Sequence, residues 1–180
     1  MAALTNRMIR AARLDVTLYE EVEADRGATG QAMLVVILVS LATGLGALTS
    51  AGGIGLLWGM VAGLLGWVVW AFLTYFIGTR VLPEPQTQAD MGQLLRTIGF
   101  SSSPGVLRIL GIVPGLWTLA IVVTSVWMLV AMVIAVRQAL DYHSTWRAVG
   151  VCVLGWIIQG IVLAFLIPSG PSDRGLGVAL

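Results

Sequence analysis

The spacing of charged residues most constrains what this chain can fold into. No charged side chain occurs in the 53 residues from Gly27 to Thr79, and two further charge-free stretches run over 109–136 and 148–172. A soluble domain carries charges over its whole surface, on about a quarter of its residues, whereas only 11% of residues are charged here. The chain is therefore predicted to be all-α, a polytopic bundle of transmembrane helices without a second globular domain.

The apolar stretches predict how often the chain crosses the bilayer. We expect a cytoplasmic segment at 1–30, a transmembrane domain at 31–168 with five spans at about 31–50, 54–77, 102–115, 117–137 and 147–167, and a tail at 169–180. Four of these spans have the ~20 residues that cross a ~30 Å hydrocarbon core, but the third is short. Pro114 and Gly115 break the chain at its end, so four spans plus a re-entrant segment are the alternative.

The arginines lie between particular spans and so predict an orientation. Eight of them would share one side of the bilayer: Arg7, Arg10, Arg13, Arg26, Arg80, Arg96, Arg137 and Arg147. The loops at 50–53 and 113–117 contain none. Because arginine accumulates in cytoplasmic loops, five spans put the N-terminus in the cytoplasm and the C-terminus outside. Four spans would return the tail to the cytoplasm. The composition suggests a prokaryotic protein of the inner membrane.

The segment before the first span is predicted to contain an amphipathic helix over residues 4–26. Apolar side chains such as Leu18 and Val22 recur on one face at helical spacing, and Asp15 is an exception on that face. Two placements are open. The helix could lie in the membrane interface, anchored by its arginines, or it could pack on the cytoplasmic face of the protein itself.

The polar connection at 79–103 is predicted to hold a short amphipathic helix. Thr87 and Asp90 have the spacing of a capping box, which places the N-cap at Thr87. Apolar residues follow at the i, i+3, i+4 and i+7 positions, and the helix is expected to end at Gly99.

Small and aromatic residues in the spans predict helix packing. Three glycines recur every four residues on the second span: Gly55, Gly59 and Gly63. Glycines at this spacing let another helix approach closely, and the partner is expected within the same chain, with another subunit as the alternative. Trp127 and Trp156 lie deep in their spans. Core packing is favoured for both over contact with a pigment, a quinone or a lipid.

Arg108 and Gln159 are the candidate functional residues at membrane depth. A charge inside a membrane is costly and commonly marks a functional site. The favoured alternative is that Arg108 extends toward the cytoplasmic interface, because it lies close to the start of its span. For Gln159, a hydrogen bond between helices is favoured over a transport site.

The sequence points to no catalytic, cofactor or metal site. His143 is the only histidine and lies in a loop, without the further ligands that a metal needs. No nucleophile and base stand at a known spacing, so we expect no enzyme. No span contains Asp or Glu, which disfavours proton-coupled transport. The net charge of +1 predicts no nucleic-acid partner.

The region from about 70 to 165 resembles the Yip family (Ypt-interacting proteins) in its prokaryotic form. The residues that carry the resemblance are Phe76-Ile77-Gly78-Thr79, Leu94-Leu95-Arg96, Gly99-Phe100-Ser101-Ser102-Ser103-Pro104, Pro114, Trp127, Arg137, Leu140 and Trp146-Arg147-Ala148. The resemblance implies five spans with a cytoplasmic N-terminus, and it brings no catalytic residues. Eukaryotic members are linked to vesicle trafficking and Rab GTPases through cytoplasmic regions, which the short N-terminal segment here does not resemble.

Three hypotheses for function follow. The first is a non-catalytic membrane scaffold that organises membrane proteins or lipids. The second is an accessory structural subunit of a larger membrane complex, for example an energy-transducing one. The third, the least favoured, is a transporter or lipid-handling protein that uses Arg108 and Gln159. The partners expected are the lipid bilayer and other membrane protein subunits.

Overall fold

A computed structural model of the protein describes residues 2–46 and 48–166, with side-chain surroundings for 3–46 and 60–161. The helices are α1 (Ala2–Ala12), α2 (Val16–Ala24), α3 (Ala28–Gly46), α4 (Leu48–Phe76) with a π-helical end (Ile77–Val81), α5 (Met91–Ser101), a 3₁₀ helix (Ser103–Ile112), α6 (Trp117–Ala139) and α7 (Thr145–Leu166). No strand occurs in these described ranges. The all-α class predicted from the charge-free stretches is confirmed.

Within the described part of the chain, three helical segments are long and apolar enough to cross a membrane. They are Ala28–Gly46, Met60–Val81 and Trp117–Ala139. Thr145–Ile161 of α7 is a shorter apolar segment. The turn expected at 50–53 is not found, because these residues belong to helix α4, which is described from Leu48. The predicted tail at 169–180 lies outside the described residues, and the number of spans stays a prediction.

The long helices form two hairpins, α3–α4 and α6–α7. The 3₁₀ helix lies between α3 and α6, and α5 packs against α2, α3, α4 and α6 at one end of the bundle, which we call the α5 end. Two groups of buried apolar side chains hold this end together. One includes Leu94 and Val136, and the other includes Leu18, Tyr19 and Phe100. The α5 end thus contains most of the packed core among the described residues.

The 3₁₀ helix runs alongside α3 in the same direction. Gly99 faces Ala32, Gly105 faces Val39, and Gly111 faces Gly46. The chain from α5 therefore travels toward the far end of α3 and does not turn back within residues 103–112. Ten residues at about 2.0 Å per residue rise roughly 20 Å, which is less than the ~30 Å thickness of a hydrocarbon core.

The N-terminal segment forms two helices, whereas the sequence predicted one. Leu14 has a positive φ of 62°, and Asp15 is the N-cap of α2, with its carboxylate accepting from the Thr17 N–H at 3.0 Å. The capping role explains why Asp15 broke the apolar pattern. Leu18, Tyr19 and Val22 are buried because α2 packs on α5 and α6. Of the two open placements, the structure shows packing on the protein itself.

Helix α5 begins three residues later than predicted. Asp90, not Thr87, is its N-cap, and Asp90 and Gln93 form a reciprocal capping box. The Thr87 hydroxyl instead accepts from the Glu84 N–H at 2.9 Å. The helix does not end at Gly99 but continues to Ser101. Gly99 is instead a position of close packing against α3. A Cβ atom there would lie 2.7 Å from the Ala32 Cβ.

Candidate functional site

A cavity of about 620 Å³ lies between the two helical hairpins. Helix α3 lines it with one face, which carries Val36, Val39, Ser40, Thr43 and Gly44. These residues follow the i, i+3, i+4, i+7 spacing of a single helical face. The opposite walls come from α4, α6 and α7, while α5 and the 3₁₀ helix close one side. The volume lies within the range of small-molecule sites, about 300–1,000 Å³.

Two glycines of α4 shape the cavity in different ways. A Cβ atom on Gly63 would overlap the Ser40 hydroxyl, so this glycine lets α3 and α4 approach each other. A Cβ atom on Gly66 would meet nothing within 4 Å, so Gly66 contributes open volume. Gly63 thus makes its contact inside the chain, while the surroundings of Gly55 and Gly59 lie outside the described part of the structure.

Arg108 contributes the charge of the cavity. Its Nε donates to the Thr124 hydroxyl at 3.0 Å and its Nη2 to the Ser125 hydroxyl at 3.1 Å. Thr124 is buried and donates in turn to the Ala120 carbonyl at 2.7 Å. No ion pair of Arg108 is found among the described residues. The guanidinium is thus held by neutral hydroxyls only.

The position of Arg108 differs from the favoured sequence interpretation. Extension toward the loops that the sequence predicted to be cytoplasmic would bring its guanidinium near the α6 end at Arg137. The guanidinium instead contacts Thr124 and Ser125, which are closer along α6 to its first residue, Trp117. The charge therefore remains between the helices, in the cavity.

Close glycine contacts fix the backbone that carries Arg108. A Cβ atom on Gly46 would overlap the Arg108 carbonyl oxygen, and one on Gly111 would overlap the Trp117 ring. A Cβ atom on Gly105 would lie 2.6 Å from Val39 Cγ1. The 3₁₀ helix is wedged between α3 and α6 by these contacts, which orients Arg108 toward α6.

Gln159 lines the same cavity from α7, together with Trp156. The structure therefore brings Arg108, Gln159 and Gly63 of the sequence prediction to one site. Gln159 makes no hydrogen bond with another described residue, so the interhelical bond expected for it is not found among them. Trp156 is 58% exposed, which differs from the core packing predicted for this residue.

Sequence reasoning missed Thr124 and Ser125, which hold the guanidinium. They form a pair of adjacent hydroxyl residues in the most apolar of the predicted spans. Serine and threonine hydroxyls in a span can form a hydrogen bond with a polar side chain of a neighbouring helix. It was the available signal that Arg108 has a partner on α6.

A separate set of polar side chains binds backbone carbonyls elsewhere in the bundle. Arg96 is buried, and its Nε donates to the Val22 carbonyl at 2.9 Å. Trp127 Nε1 donates to the Ala12 carbonyl at 2.7 Å. The Tyr142 hydroxyl lies 2.9 Å from the Gly78 carbonyl oxygen. Each of these carbonyls lies in the last turn of a helix or in a π-helical end, where backbone groups lack regular partners.

The loops at the α5 end are joined by polar contacts. Arg147 forms an ion pair of 3.3 Å with Glu84 and donates to the Pro83 carbonyl at 2.7 Å. His143 donates its backbone N–H to the Glu84 carboxylate at 3.1 Å. Within the described residues, no group of three His, Cys, Asp or Glu side chains could hold a metal ion.

Comparison with protein families matches residues 17–167 to the Yip1 domain. The chain belongs to the Yip1 domain family. The resemblance drawn from the sequence is confirmed, and the matched region runs from α2 to the last turn of α7. Neither the curated proteins nor the solved structures contain a significant match. In this Yip1 domain, Arg96, Gly99 and Trp127, which carried the resemblance, all make contacts between helices.

Proposed function

We propose that this Yip1 domain protein is a non-catalytic membrane scaffold, which organises other membrane proteins or lipids around its helical bundle. The observation that carries the proposal is how three buried or partly buried polar side chains are used. Arg96, Trp127 and Tyr142 all bind helix-terminal carbonyls. They stabilise the packing of the bundle, and none of them is presented to a substrate. The Yip family is not known as a family of enzymes, which supports the non-catalytic part.

The outer face of α6 supports a role in contacting other membrane molecules. Leu119, Val122 and Val126 are 60%, 54% and 59% exposed. They recur at helical spacing and form an apolar stripe on a helix that is long enough to span a membrane. In a bilayer, this stripe contacts lipid chains or the helices of another protein.

We place the protein in the inner membrane with its α5 end toward the cytoplasm. The arginines that follow the positive-inside rule support this orientation, since Arg96, Arg137 and Arg147 all lie in or beside the helices and loops of the α5 end. The direct course of the 3₁₀ helix along α3 supports five spans over a re-entrant segment.

The alternative function is that of an accessory subunit. The mass of the purified protein distinguishes this function from that of a scaffold. The 19.1 kDa chain would be extracted in mild detergent, with and without prior chemical cross-linking in the membrane. A scaffold is expected alone or as a homo-oligomer without cross-linker, and joined to other membrane proteins after cross-linking. A fixed stoichiometric complex without cross-linker supports the accessory subunit. Identical behaviour as a lone chain in both conditions contradicts both roles.

A further inference from the structure

The cavity between the hairpins combines one positive charge with apolar walls. Arg108 is half-buried, and among the described residues its guanidinium donates only to the hydroxyls of Thr124 and Ser125. The helices that form the walls contain no Asp or Glu over 28–46, 48–76, 117–139 or 145–166. Neutral hydroxyls do not compensate a cation at membrane depth. The charge of the cavity is therefore complementary to an anionic occupant.

The guanidinium has donors left for such an occupant. Arginine carries five N–H donors in a planar fork, and the two hydroxyls use two of them. The fork fits two oxygens of a phosphate group at once. Ser40 and Gln159 add polar groups to the lining of the same cavity.

The remaining walls suit a hydrocarbon chain. Met128 and Met132 of α6, with Trp70 of α4 and Val39 of α3, line the cavity beside Arg108. Methionine side chains adapt to irregular apolar partners. The cavity is open at its side and its volume of about 620 Å³ accommodates part of an acyl chain. Both the charge and the walls thus match an amphiphile.

We propose that the cavity binds one anionic phospholipid, with its phosphate on Arg108 and an acyl chain along the apolar wall between α3 and α6. This site is independent of the scaffold role, because a protein without partners can still hold a structural lipid. The glycine contacts that wedge the 3₁₀ helix between α3 and α6 hold the guanidinium ready for the phosphate.

Lipid retention by the full-length protein tests this site. The protein in detergent would be mixed with phosphatidylglycerol or phosphatidylcholine of identical acyl chains, and bound lipids would be counted by native mass spectrometry. We expect one tightly retained phosphatidylglycerol and weaker retention of zwitterionic phosphatidylcholine. Arg108→Gln should reduce the retention of phosphatidylglycerol by about tenfold, because it removes a charge-assisted hydrogen-bonding group.

Two matched controls separate the cavity from general effects of charge and bulk. Arg80→Gln removes the same charge from an exposed site outside the cavity and should leave retention unchanged. Gly66→Leu should fill the open volume and displace the lipid, while Gly160→Leu, on an exposed and open position of α7, should not. If Arg108→Gln fails to fold, the comparison of the two leucine variants still decides.

Three results would overturn the proposal. Equal retention of both phospholipids removes the role of charge. An equal loss in Arg80→Gln and Arg108→Gln shows that the lipid responds to net charge only. Unchanged retention in Gly66→Leu shows that the lipid lies outside the cavity.

Discussion

Arg96 Nε lies 2.9 Å from the carbonyl oxygen of Val22, which precedes it by 74 residues. The same guanidinium also donates to the Glu23 carbonyl through Nη2. Both carbonyls belong to the last turn of α2, where carbonyl groups lack a backbone N–H donor from the same helix. A buried charge on α5 thus takes the place of a C-terminal cap and joins the N-terminal segment to the bundle.

Replacing this guanidinium should release α2. Arg96→Gln is expected to lower the free energy of unfolding by roughly 2–3 kcal/mol, since hydrogen bonds to a charged group are lost in a buried place. The melting temperature in detergent measures the loss, and limited proteolysis of the N-terminal segment shows whether α2 detaches. Arg13→Gln is the control, because Arg13 is exposed. Equal stability of the two variants would show that the contact does not hold α2.

The indole of Trp127 should have a comparable role for α1. Trp127→Phe keeps an aromatic ring but loses the bond to the Ala12 carbonyl, and it is expected to cost about 1 kcal/mol. Trp156→Phe serves as the comparison, since this indole is 58% exposed. Thermal unfolding of both variants checks the prediction, which fails if Trp156→Phe is the more destabilising.

Glu23 should make stability depend on pH. Burial raises the pKa of its carboxyl to about 7, with a further rise from the nearby Asp141 carboxylate and an opposing effect of Arg96. The folded-state pKa therefore exceeds the unfolded one, near 4.5. The stabilising contribution is complete below pH 4.5 and is lost as the pH rises through 7.

Glu23→Gln should remove this dependence, because its amide stays neutral and can still accept from Gln93 Nε2, the group that Glu23 now binds at 3.0 Å. Melting temperatures between pH 5 and 8 would be compared with those of the wild type and of Glu20→Gln, on the same helix. The variant should gain over the wild type at pH 8 and not at pH 5. A parallel pH response in Glu23→Gln would rule out this carboxyl as the cause.

The glycines of α4 offer a test of close packing. Gly63→Ala should be about 1–2 kcal/mol less stable than Gly66→Ala, because a Cβ atom overlaps the Ser40 hydroxyl only at the first position. Both variants gain the same helix propensity, so their difference reports the contact. Adding Ser40→Ala should restore Gly63→Ala in a double-mutant cycle. Additive losses would mean that α3 and α4 do not meet at this point.

The course of the 3₁₀ helix predicts which loops share a side of the membrane. Val113 is exposed in the loop before α6, and Gln88 is exposed in the loop before α5. Cysteines at these two positions, in a Cys152→Ala background, would be treated with a membrane-impermeant maleimide. Five spans predict labelling of position 113 from outside the cell and of position 88 only after permeabilisation. Labelling of both from one side would support the re-entrant alternative.

The sequence predicted the long helices because the requirement behind them is simple. A span must be apolar along its whole length, so charge-free stretches reveal α3, α4, α6 and α7 without knowledge of their neighbours. The family was also visible, since its residues follow one another in order along the chain. The amphipathic nature of the first 30 residues is visible because their apolar side chains recur at helical spacing.

The details that sequence reasoning missed depend on contacts between distant residues. Asp15 read as an irregularity of one helix, although it caps a second one. Thr87 and Asp90 are both good N-caps, and the contact of Thr87 with Glu84 decides between them. The depth of Arg108 depends on hydroxyls 16 and 17 residues away, which local spacing does not relate to it.

The scaffold role is tested most directly by photo-cross-linking inside the membrane. A photoreactive amino acid would replace Leu119, on the exposed stripe of α6, or Ala131, which is fully buried on the same helix. The account predicts adducts with other membrane proteins from position 119 and none from position 131. Adducts with lipid alone from position 119, repeated at Val122 and Val126, would contradict a scaffold for membrane proteins.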